Sequence, residues 1–448
     1  MSRRRVHIET FGCQMNEYDS ELVRSLLKND GYEFTDDRER ADVILMNTCA
    51  VREHAHTRVY GHLAELRAVK KSRPLVVGVL GCMAQSLKAE LTDKEPLVDV
   101  LVGPDGYRQL PKLLAAAWDA DEQGLRDKGL AVDLSEYETY DDIVPEREPG
   151  VNAWIAIMRG CDNFCTFCVV PYTRGRERSR DPQGILEETR LLVEQGHRQV
   201  TLLGQNVNSY GYDDWDFARL ITHVADTPGI ERVRFTSPHP KDFPPALLDA
   251  IAGHPRICKH IHLPLQAGND RILDLMGRTY SRQEFLALAD AIRRTHPGIA
   301  LTTDIICGFP TETDSEFLDT YRTMEHVRFH AAFIFKYSER KNTIAARKYP
   351  DEVPDRVKSE RVARVVELQR GISLALNQKR IGDTISVLVE GHSKRSSEQW
   401  MGRSDDNLTV VWEKSAHSPQ DRVQPGLLVN ILIDSASMTT LFGRPIQV

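Results

Sequence analysis

The 448-residue sequence has no run of 18 apolar residues, which excludes a transmembrane helix of ordinary length. Its basic N-terminus is followed by neither an apolar segment nor a small-residue cleavage site, so we expect no secretory signal peptide. Cysteine is scarce, and 8 in a chain of this length do not form a disulfide framework. We therefore expect a monomer in the cytoplasm, with no membrane partner and with clustered cysteines acting as metal ligands.

A strong overall charge is also missing, since the formal net charge is −7. Residues 119–148 alone carry 11 acids against 3 bases, so the rest of the chain is close to neutral. This composition, with Pro145 and Pro149 near its end, predicts an acidic, solvated linker over 119–150. Charge therefore neither requires nor excludes a nucleic-acid partner.

What is present is a tight group of cysteines in residues 160–168, with C-x3-C-x2-C spacing. Cys161, Cys165 and Cys168 offer three thiolates in one loop, with no obvious fourth ligand nearby. A structural zinc ion takes four protein ligands. A cubane [4Fe-4S] cluster with one iron free of protein suits three thiolates. The spacing therefore favours a cluster whose open iron can bind a substrate or cofactor.

A second set of cysteines is scattered through residues 1–118. Strands over 6–10, 43–46 and 75–80, with helices over 20–30 and 57–71, predict a parallel α/β domain. Each strand ends at a cysteine, namely Cys13, Cys49 or Cys82. Because carboxyl ends of parallel strands share one edge of a sheet, we expect these thiols to meet at a second cluster with an open iron. The alternative is three separate buried thiols.

The central domain is assigned to residues 151–380 and the C-terminal domain to 381–448. Six strands with intervening helices in the former predict a partial (βα)6 barrel, whose chemistry lies at the carboxyl ends of its strands. The predicted strands are 154–158, 199–203, 232–236, 260–265, 300–306 and 332–337. A basic helical segment follows, and five short strands after residue 382 predict a small OB-like β-barrel that can hold RNA. A purely structural appendage is the alternative.

The cysteine loop resembles the signature of radical S-adenosylmethionine (SAM) enzymes. With the strand-end cysteines and the C-terminal barrel, the whole chain resembles methylthiotransferases of the MiaB and RimO group, which end in a TRAM barrel. The likeness is closest to MiaB-type members at residues 10–20 (TFGCQMNEYDS), 47–53 (NTCAVRE) and 164–175 (FCTFCVVPYTRG). One departure follows the YSER of residues 337–340. KNTIA stands where the family usually has Pro-Gly-Thr-Pro-Ala, so this turn must be built differently.

The resemblance implies methylthiolation of C2 of N6-isopentenyladenosine beside the tRNA anticodon. Two SAM molecules, a 5′-deoxyadenosyl radical and two [4Fe-4S] clusters would be used, with sulfur from or via the N-terminal cluster. The hard chemistry would belong to the cofactors. The implied partners are a tRNA carrying isopentenyladenosine, an electron donor such as flavodoxin or ferredoxin, and a sulfur source. Alternatives within the group are threonylcarbamoyl-adenosine of tRNA and an aspartate of a ribosomal protein. An alternative of another class is a non-catalytic, zinc-stabilised RNA-binding protein.

The resemblance also implies roles for further residues. Seven positions are expected to contact SAM, with Arg174 a candidate for its carboxylate: Phe167, Arg174, Gln205, Asn206, Ser237, Gln266 and Asp304. Three further arginines are expected to meet tRNA phosphates, which guanidinium groups bind well: Arg176, Arg178 and Arg180. Other notable side chains are expected to be structural, as buried thiols or helical surface residues: Cys258, Cys307, His54, His56 and His62.

Overall fold

The computed structural model describes residues 4–50, 53–123, 128–414 and 423–446. The side chains at positions 53–56, 89, 121 and 122 are not described. The predicted surface positions of His54 and His56 therefore lie outside the described residues. The chain folds into an N-terminal α/β domain, a central α/β domain and a C-terminal β-barrel, as predicted. Within the described ranges, no helix is both long and apolar enough to cross a bilayer.

The N-terminal domain is built on six parallel strands in the order β2-β1-β3-β4-β5-β6. Its strands are β1 Arg5–Phe11, β2 Glu33–Phe34, β3 Val43–Thr48, β4 Val76–Leu80, β5 Val100–Val102 and β6 Gly129–Ala131. Its helices are α1 Gln14–Asn29, α2 Glu53–Ser72, α3 Cys82–Leu87, α4 Ala89–Lys94 and α5 Leu110–Glu122, with 3-10 turns at Arg38–Arg40 and Tyr107–Gln109. The central strands β3 and β4 are wholly buried because apolar clusters cover both faces of the sheet.

The segment 119–150 is not the solvated linker that its acidic composition predicted. Part of it forms β6, which pairs with β5 and so extends the sheet. Tyr140 is fully buried, and its hydroxyl donates to the Pro104 carbonyl at 3.0 Å and accepts from the Tyr107 N–H at 3.1 Å. Backbone pairing and a buried aromatic therefore make this segment part of the N-terminal domain's packing.

The strands of the central domain are β7 Asn152–Ala156, β8 Met158–Arg159, β9 Arg178–Ser179, β10 Gln199–Leu203, β11 Gly211–Tyr212, β12 Trp215–Asp216, β13 Arg232–Phe235, β14 His260–His262, β15 Ala300–Cys307 and β16 Ala331–Lys336. The six predicted strands correspond to β7, β10, β13, β14, β15 and β16, which lie side by side in the order of the sequence. The sheets β7-β10-β13 and β14-β15-β16 are joined where the Val233 N–H donates to Arg256 at 2.8 Å and the Cys258 N–H donates to Val233 at 3.0 Å. These bonds join the two sheets into one curved sheet of six strands, which is an open (βα)6 barrel.

Helices cover the outer face of this barrel around the largest apolar core of the chain. They are α6 Val170–Arg174, α7 Pro182–Glu194, α8 Phe217–Asp226, α9 Pro245–Gly253, α10 Asp270–Leu275, α11 Arg282–Thr295, α12 Asp314–Val327, α13 Ile344–Lys348 and α14 Asp355–Gln378, with 3-10 turns at Val207–Ser209 and Pro240–Asp242. Cys258 and Cys307 are free and buried, as expected for thiols that pack in the core of the barrel.

The C-terminal domain is a closed barrel in the order β17-β18-β19-β21-β20. Its strands are β17 Thr384–Ser393, β18 Ser396–Ser404, β19 Thr409–Glu413, β20 Leu428–Ala436 and β21 Thr440–Pro445. The barrel is tied to the central sheet through β13, because Arg234 donates to the carbonyls of Ser404 at 2.6 Å and Asp405 at 3.1 Å. The two domains therefore share buried polar contacts as well as a chain connection.

Candidate metal centres

The three N-terminal cysteines meet at one edge of the sheet, as the strand-end rule predicted. Cys13 directly precedes α1, Cys49 follows β3, and Cys82 begins α3. A hydrogen bond with Cys49 lowers the pKa of Cys13 to about 6, although burial opposes this shift. Burial raises the pKa of the Cys82 thiol, and the neighbouring Arg174 opposes that shift. The three thiols thus come from three strand ends to one place.

A buried polar network holds this edge together. Asn16 is fully buried, and its Oδ1 accepts from the Cys13 N–H at 3.3 Å and from Cys13 Sγ at 3.4 Å. Its Nδ2 donates to Asn47 Oδ1 at 3.1 Å, and Asn47 donates in turn to Ser20 Oγ at 3.0 Å. Gly81 has φ of 84°, and a side chain there would overlap Asn47. The network therefore positions cysteines that arrive from separate strands.

The second set of cysteines lies in a loop that follows the first strands of the barrel. The Cys161 N–H donates to the Gly175 carbonyl at 3.1 Å, and the Cys168 N–H donates to Cys165 at 3.0 Å. The Thr166 N–H donates to the Met276 carbonyl at 2.8 Å, which ties the loop to the end of α10. Burial raises the pKa of Cys161 to about 11 and that of Cys168 to about 12. Metal ligation would therefore have to displace their protons.

The two cysteine sets are neighbours. Cys82 packs with Ala50 and Val169 in one small buried apolar cluster, and Val169 is adjacent in sequence to Cys168. Helix α3, which begins at Cys82, packs against α6, which follows the cysteine loop. The separation of the two sets could not be inferred from the sequence, and the structure packs Cys82 of one set against Val169, the residue that follows Cys168 of the other.

A buried ion cluster joins the domains beside the cysteines. Asp19 of α1 is fully buried, and its carboxylate accepts from Arg159 Nη2 at 2.7 Å and from Arg174 Nη2 at 2.8 Å. The Tyr107 hydroxyl also donates to it, at 3.2 Å. Burial acts to raise the pKa of Asp19, but Arg174 and Arg159 outweigh burial and hold that pKa below its usual value. Asp19 is therefore a charged link between the N-terminal and central domains.

The surroundings of the thiols fit anionic clusters. Arg174 Nε donates to Cys82 Sγ at 3.2 Å, and Arg278 Nη1 donates to Cys165 Sγ at 3.3 Å. Two buried guanidinium groups share the single carboxylate of Asp19, so one positive charge remains beside the N-terminal thiols. Three thiolates on a cluster with an open iron supply negative charge at these places. Each set could therefore hold a [4Fe-4S] cluster.

In the part of the chain that the structure describes, no three Cys, His, Asp or Glu side chains form a group that could hold a single metal ion. A structural zinc site takes four ligands on one ion, whereas a cubane cluster carries its thiolates on separate irons.

The residues expected to contact SAM lie at the carboxyl edge of the barrel, with one exception. Gln205 Oε1 accepts from the Gly160 N–H at 2.6 Å, directly beside the cysteine loop. Asn206 is buried, and its Nδ2 donates to Asp242 at 3.1 Å. The Gln266 N–H donates to the Asp304 carbonyl at 2.9 Å. The exception is Arg174, which the structure places on Cys82 and Asp19 in the domain junction.

The side chains of three expected contacts, Phe167, Ser237 and Asp304, have distinct settings. Phe167, between two of the cysteines, is partly buried and packs against the barrel core. Ser237 follows β13 in a left-handed conformation with φ of 59°, and it stays partly exposed. The Asp304 carboxylate lies 3.2 Å from His262 Nε2. These settings leave Ser237 and Asp304 accessible at the mouth of the barrel, where a ligand could reach them.

The arginines expected to meet RNA phosphates divide into two groups. Arg178 is buried and pairs with Asp105 at 3.0 Å, and Arg180 is buried and pairs with Glu188 at 2.8 Å. Both guanidinium groups are buried in ion pairs, so they present no exposed charge to a phosphate. Arg176 differs, because its side chain is 67% exposed and lies over the Phe164 ring at 4.5 Å.

The departure from the family turn is accommodated locally. Asn342 adopts a left-handed conformation with φ of 69° where the family has glycine. Thr343 caps α13, and the Ala345 N–H donates to the Thr166 carbonyl at 2.7 Å. The unusual sequence therefore still anchors the cysteine loop. His62, expected to be a simple surface residue, lies 2.7 Å from Glu9 Oε2.

Sequence reasoning did not identify Asp19, Arg159 or Arg278 as residues of this region. Asp19 lies six residues after Cys13, and Arg159 stands two residues before Cys161. Charged residues so close to candidate ligands were an available signal for these two. Arg278 lies 20 residues from Cys258 and further from every other cysteine, so the sequence around it carries no comparable signal.

Comparisons with known proteins agree with this architecture. A family model described as "Uncharacterized protein family UPF0004" matches residues 5–103, and one described as "Radical SAM superfamily" matches residues 155–324. The solved structure of the radical SAM methyltransferase TsrM from Kitasatospora setae is similar in fold, with a TM-score of 0.58. It is 13% identical, and the match covers 77% of this chain and 74% of TsrM, so it bears on the fold alone.

Full-length relatives are much more similar. A tRNA-2-methylthio-N(6)-dimethylallyladenosine synthase of Porphyromonas gingivalis is 46% identical over 454 residues, covering 99% of this chain and 95% of the relative. A protein of the same name from Chloroherpeton thalassium is 47% identical over 444 residues, covering 98% and 96%. The chain therefore belongs to the MiaB-type family of radical SAM methylthiotransferases.

Proposed function

We propose that this protein adds a methylthio group to C2 of N6-isopentenyladenosine in tRNA, beside the anticodon. One observation carries the proposal: two three-cysteine sets, each suited to an open-iron cluster, lie on packed elements, with Cys82 of one set against Val169, which follows Cys168 of the other. This arrangement stands in a chain of nearly the same length as relatives named for that reaction. Proximity of the two sites is what the transfer of sulfur to a radical-activated carbon requires.

We assign the division of work between the sites from the C-x3-C-x2-C spacing, which only the loop set has and which resembles the radical SAM signature. Cys161, Cys165 and Cys168 would hold the cluster that binds SAM, while Cys13, Cys49 and Cys82 would hold the second. The bound cofactors would supply the radical, sulfur and methyl chemistry, which protein side chains cannot perform. The chain's own residues fix the cysteine loop, orient the thiols and keep the junction between the domains dry. Gln205 and Asn206 border the loop where SAM would lie.

The inner face of the barrel offers an apolar wall for the substrate. Phe333 and Phe335 of β16 are large aromatic residues, and they are 59% and 47% exposed. Their strand is the edge strand of the sheet β14-β15-β16. They pair in register with Asp304 and Ile306 of β15, on the face opposite to the one that packs against α14. An extruded adenine with an isopentenyl group is largely apolar and would bury these rings.

Replacing Phe333 with alanine should lower kcat/KM for isopentenylated tRNA by about tenfold or more, because an apolar contact to the substrate is lost. SAM cleavage without tRNA should change little. Initial rates of product formation and of 5′-deoxyadenosine release measure the two effects. Tyr137→Ala is the control, since Tyr137 is an aromatic residue outside the barrel and is 85% exposed. Equal loss of cleavage without tRNA would instead place Phe333 against SAM.

Binding of tRNA is assigned to Arg176 and to the C-terminal barrel. Replacing Arg176 with alanine should weaken tRNA binding at low salt and reduce the slope of log affinity against log salt by about one, because one phosphate contact is lost. Fluorescence anisotropy at several salt concentrations measures this slope. Arg190→Ala removes another exposed arginine of the same domain and should leave the slope unchanged. An unaltered slope for Arg176→Ala would make that arginine a surface charge only.

The remaining partners follow from the reaction. The clusters would number two, and they would need a low-potential electron donor such as flavodoxin or ferredoxin and a source of sulfur. We place the protein in the cytoplasm, where its tRNA substrate is available, and we expect it to be a monomer. Chemical analysis of anaerobically purified protein should give about eight irons per chain with matching sulfide.

A panel of substrates tests the proposed function. The reconstituted protein is incubated with SAM, a reductant and tRNA that is unmodified, isopentenylated or threonylcarbamoylated, or with a ribosomal-protein peptide. Only the isopentenylated tRNA should gain a methylthio group, detected by mass spectrometry of its nucleosides. Product on threonylcarbamoylated tRNA or on the peptide would favour one of the other group activities. Zinc without iron in the purified protein would return it to the non-catalytic class.

A further inference from the structure

Each cysteine set has one buried arginine that donates a hydrogen bond to one of its sulfurs. Arg174 Nε donates to Cys82 Sγ at 3.2 Å, and Arg278 Nη1 donates to Cys165 Sγ at 3.3 Å. The two arginines are only 3% and 8% exposed. Burying a guanidinium group is unfavourable unless it meets negative charge. The same costly arrangement therefore occurs once at each set.

Arg278 has no carboxylate partner within the described ranges. Its Nε donates to the Tyr280 hydroxyl at 3.0 Å and its Nη2 to the Pro264 carbonyl at 3.1 Å. The Tyr280 hydroxyl is itself fixed by the carbonyls of Pro264 and Leu265. These neutral groups orient the guanidinium but leave its charge uncompensated. The negative charge that it faces can come only from the thiol set or from what that set holds.

The positive charge of Arg174 is also only partly compensated, although this arginine does have a carboxylate partner. It shares the Asp19 carboxylate with Arg159, so two positive charges face one negative charge. Its Nη1 is buried and, in the described part of the chain, has no hydrogen-bond partner. The excess positive charge and the free donor both lie beside Cys82. Both arginines are therefore held by protein groups and leave charge directed at a cysteine set.

We propose that Arg174 and Arg278 are positioning residues, each of which raises the reduction potential of the iron–sulfur cluster on its neighbouring cysteines. One-electron reduction by an external donor adds one negative charge to a cluster, and a nearby buried cation favours that more negative state. Hydrogen bonds to cluster sulfurs and local charge are known determinants of cluster potential. The inference rests on the proposed function only in that both sets hold clusters.

Redox titration of the full-length, reconstituted protein tests this inference. Arg174→Gln is examined in a background where Cys161, Cys165 and Cys168 are alanine, so that only the N-terminal cluster is present. Arg278→Gln is examined in the reciprocal background. Electron paramagnetic resonance follows reduction by dithionite. Each glutamine variant should shift its own cluster to a more negative potential. In the opposite background, the same substitution should leave the potential unchanged.

If a glutamine variant loses its cluster, the effect of the arginine on the reduction potential is tested with lysine variants. Arg174→Lys and Arg278→Lys keep the positive charge but lose the guanidinium donors, so each should shift its cluster in the same direction by a smaller amount. A glutamine variant that carries its cluster at the wild-type potential would overturn the proposal for that arginine, and so would a lysine variant whose cluster shifts to a more positive potential. The titrations contain no tRNA. A failure of the proposed function would therefore appear separately, as shifted potentials without a methylthiolated product.

Discussion

Replacing Cys13 with alanine should abolish methylthiolation of tRNA while reductive cleavage of SAM persists. Cys13 belongs to the set at the edge of the N-terminal sheet, and the cluster assigned to SAM is held by other cysteines. The loss of one of three thiolates should remove the N-terminal cluster, or roughly four of about eight irons per chain. Product nucleoside, 5′-deoxyadenosine and iron are measured on the same preparation.

Cys161→Ala is the matched variant in the other set. It should abolish both cleavage and methylthiolation, because SAM would lose its cluster. Cys258→Ala removes a buried thiol outside both sets and should retain both reactions. If Cys13→Ala lost SAM cleavage to the same degree as Cys161→Ala, the assigned division between the two sites would be wrong.

Replacing Asp19 with asparagine should destabilise the protein more than any surface change. Asp19 is the sole carboxylate between Arg159 and Arg174 among the described residues, and removing its charge leaves two buried guanidinium groups unpaired. Breaking a buried ion pair in this way costs about 3–5 kcal/mol. Urea unfolding followed by circular dichroism should therefore show a markedly lower midpoint.

Asp142→Asn is the control for this change. Asp142 also pairs with an arginine, Arg108, but its side chain is 69% exposed. Exposed pairs contribute about 0–1 kcal/mol, so this variant should unfold close to the wild type. Equal midpoints for the two variants would show that the Asp19 cluster does not hold the domains together.

The cysteine sites could be predicted because their signals are local or follow a general rule. The spacing of Cys161, Cys165 and Cys168 defines one loop, and the carboxyl ends of parallel strands share one edge of a sheet. The sequence predicts that the first helix begins at residue 20, whereas α1 begins at Gln14. Its first turns contain Asn16 and Asp19, polar residues whose buried partners lie far away in sequence.

The errors concern charged residues whose partners lie in another domain. Arg180 belongs to a basic stretch that suggests phosphate binding, yet its partners include Asp141 of the acidic segment and Tyr18 of α1. For the same reason, the composition of residues 119–150 predicts a solvated linker although the segment packs into the N-terminal domain. Burial of opposite charges against each other is invisible in a local reading of composition. Only the packing of the domains reveals it.

The most direct test of the central claim is mass spectrometry of tRNA nucleosides from cells with and without this gene. The account predicts that 2-methylthio-N6-isopentenyladenosine disappears in the deletion strain while N6-isopentenyladenosine accumulates. The wild-type gene should restore the product, whereas genes encoding Cys13→Ala or Cys161→Ala should not. An unchanged amount of the methylthiolated nucleoside in the deletion strain, or its restoration by either cysteine variant, would contradict the account.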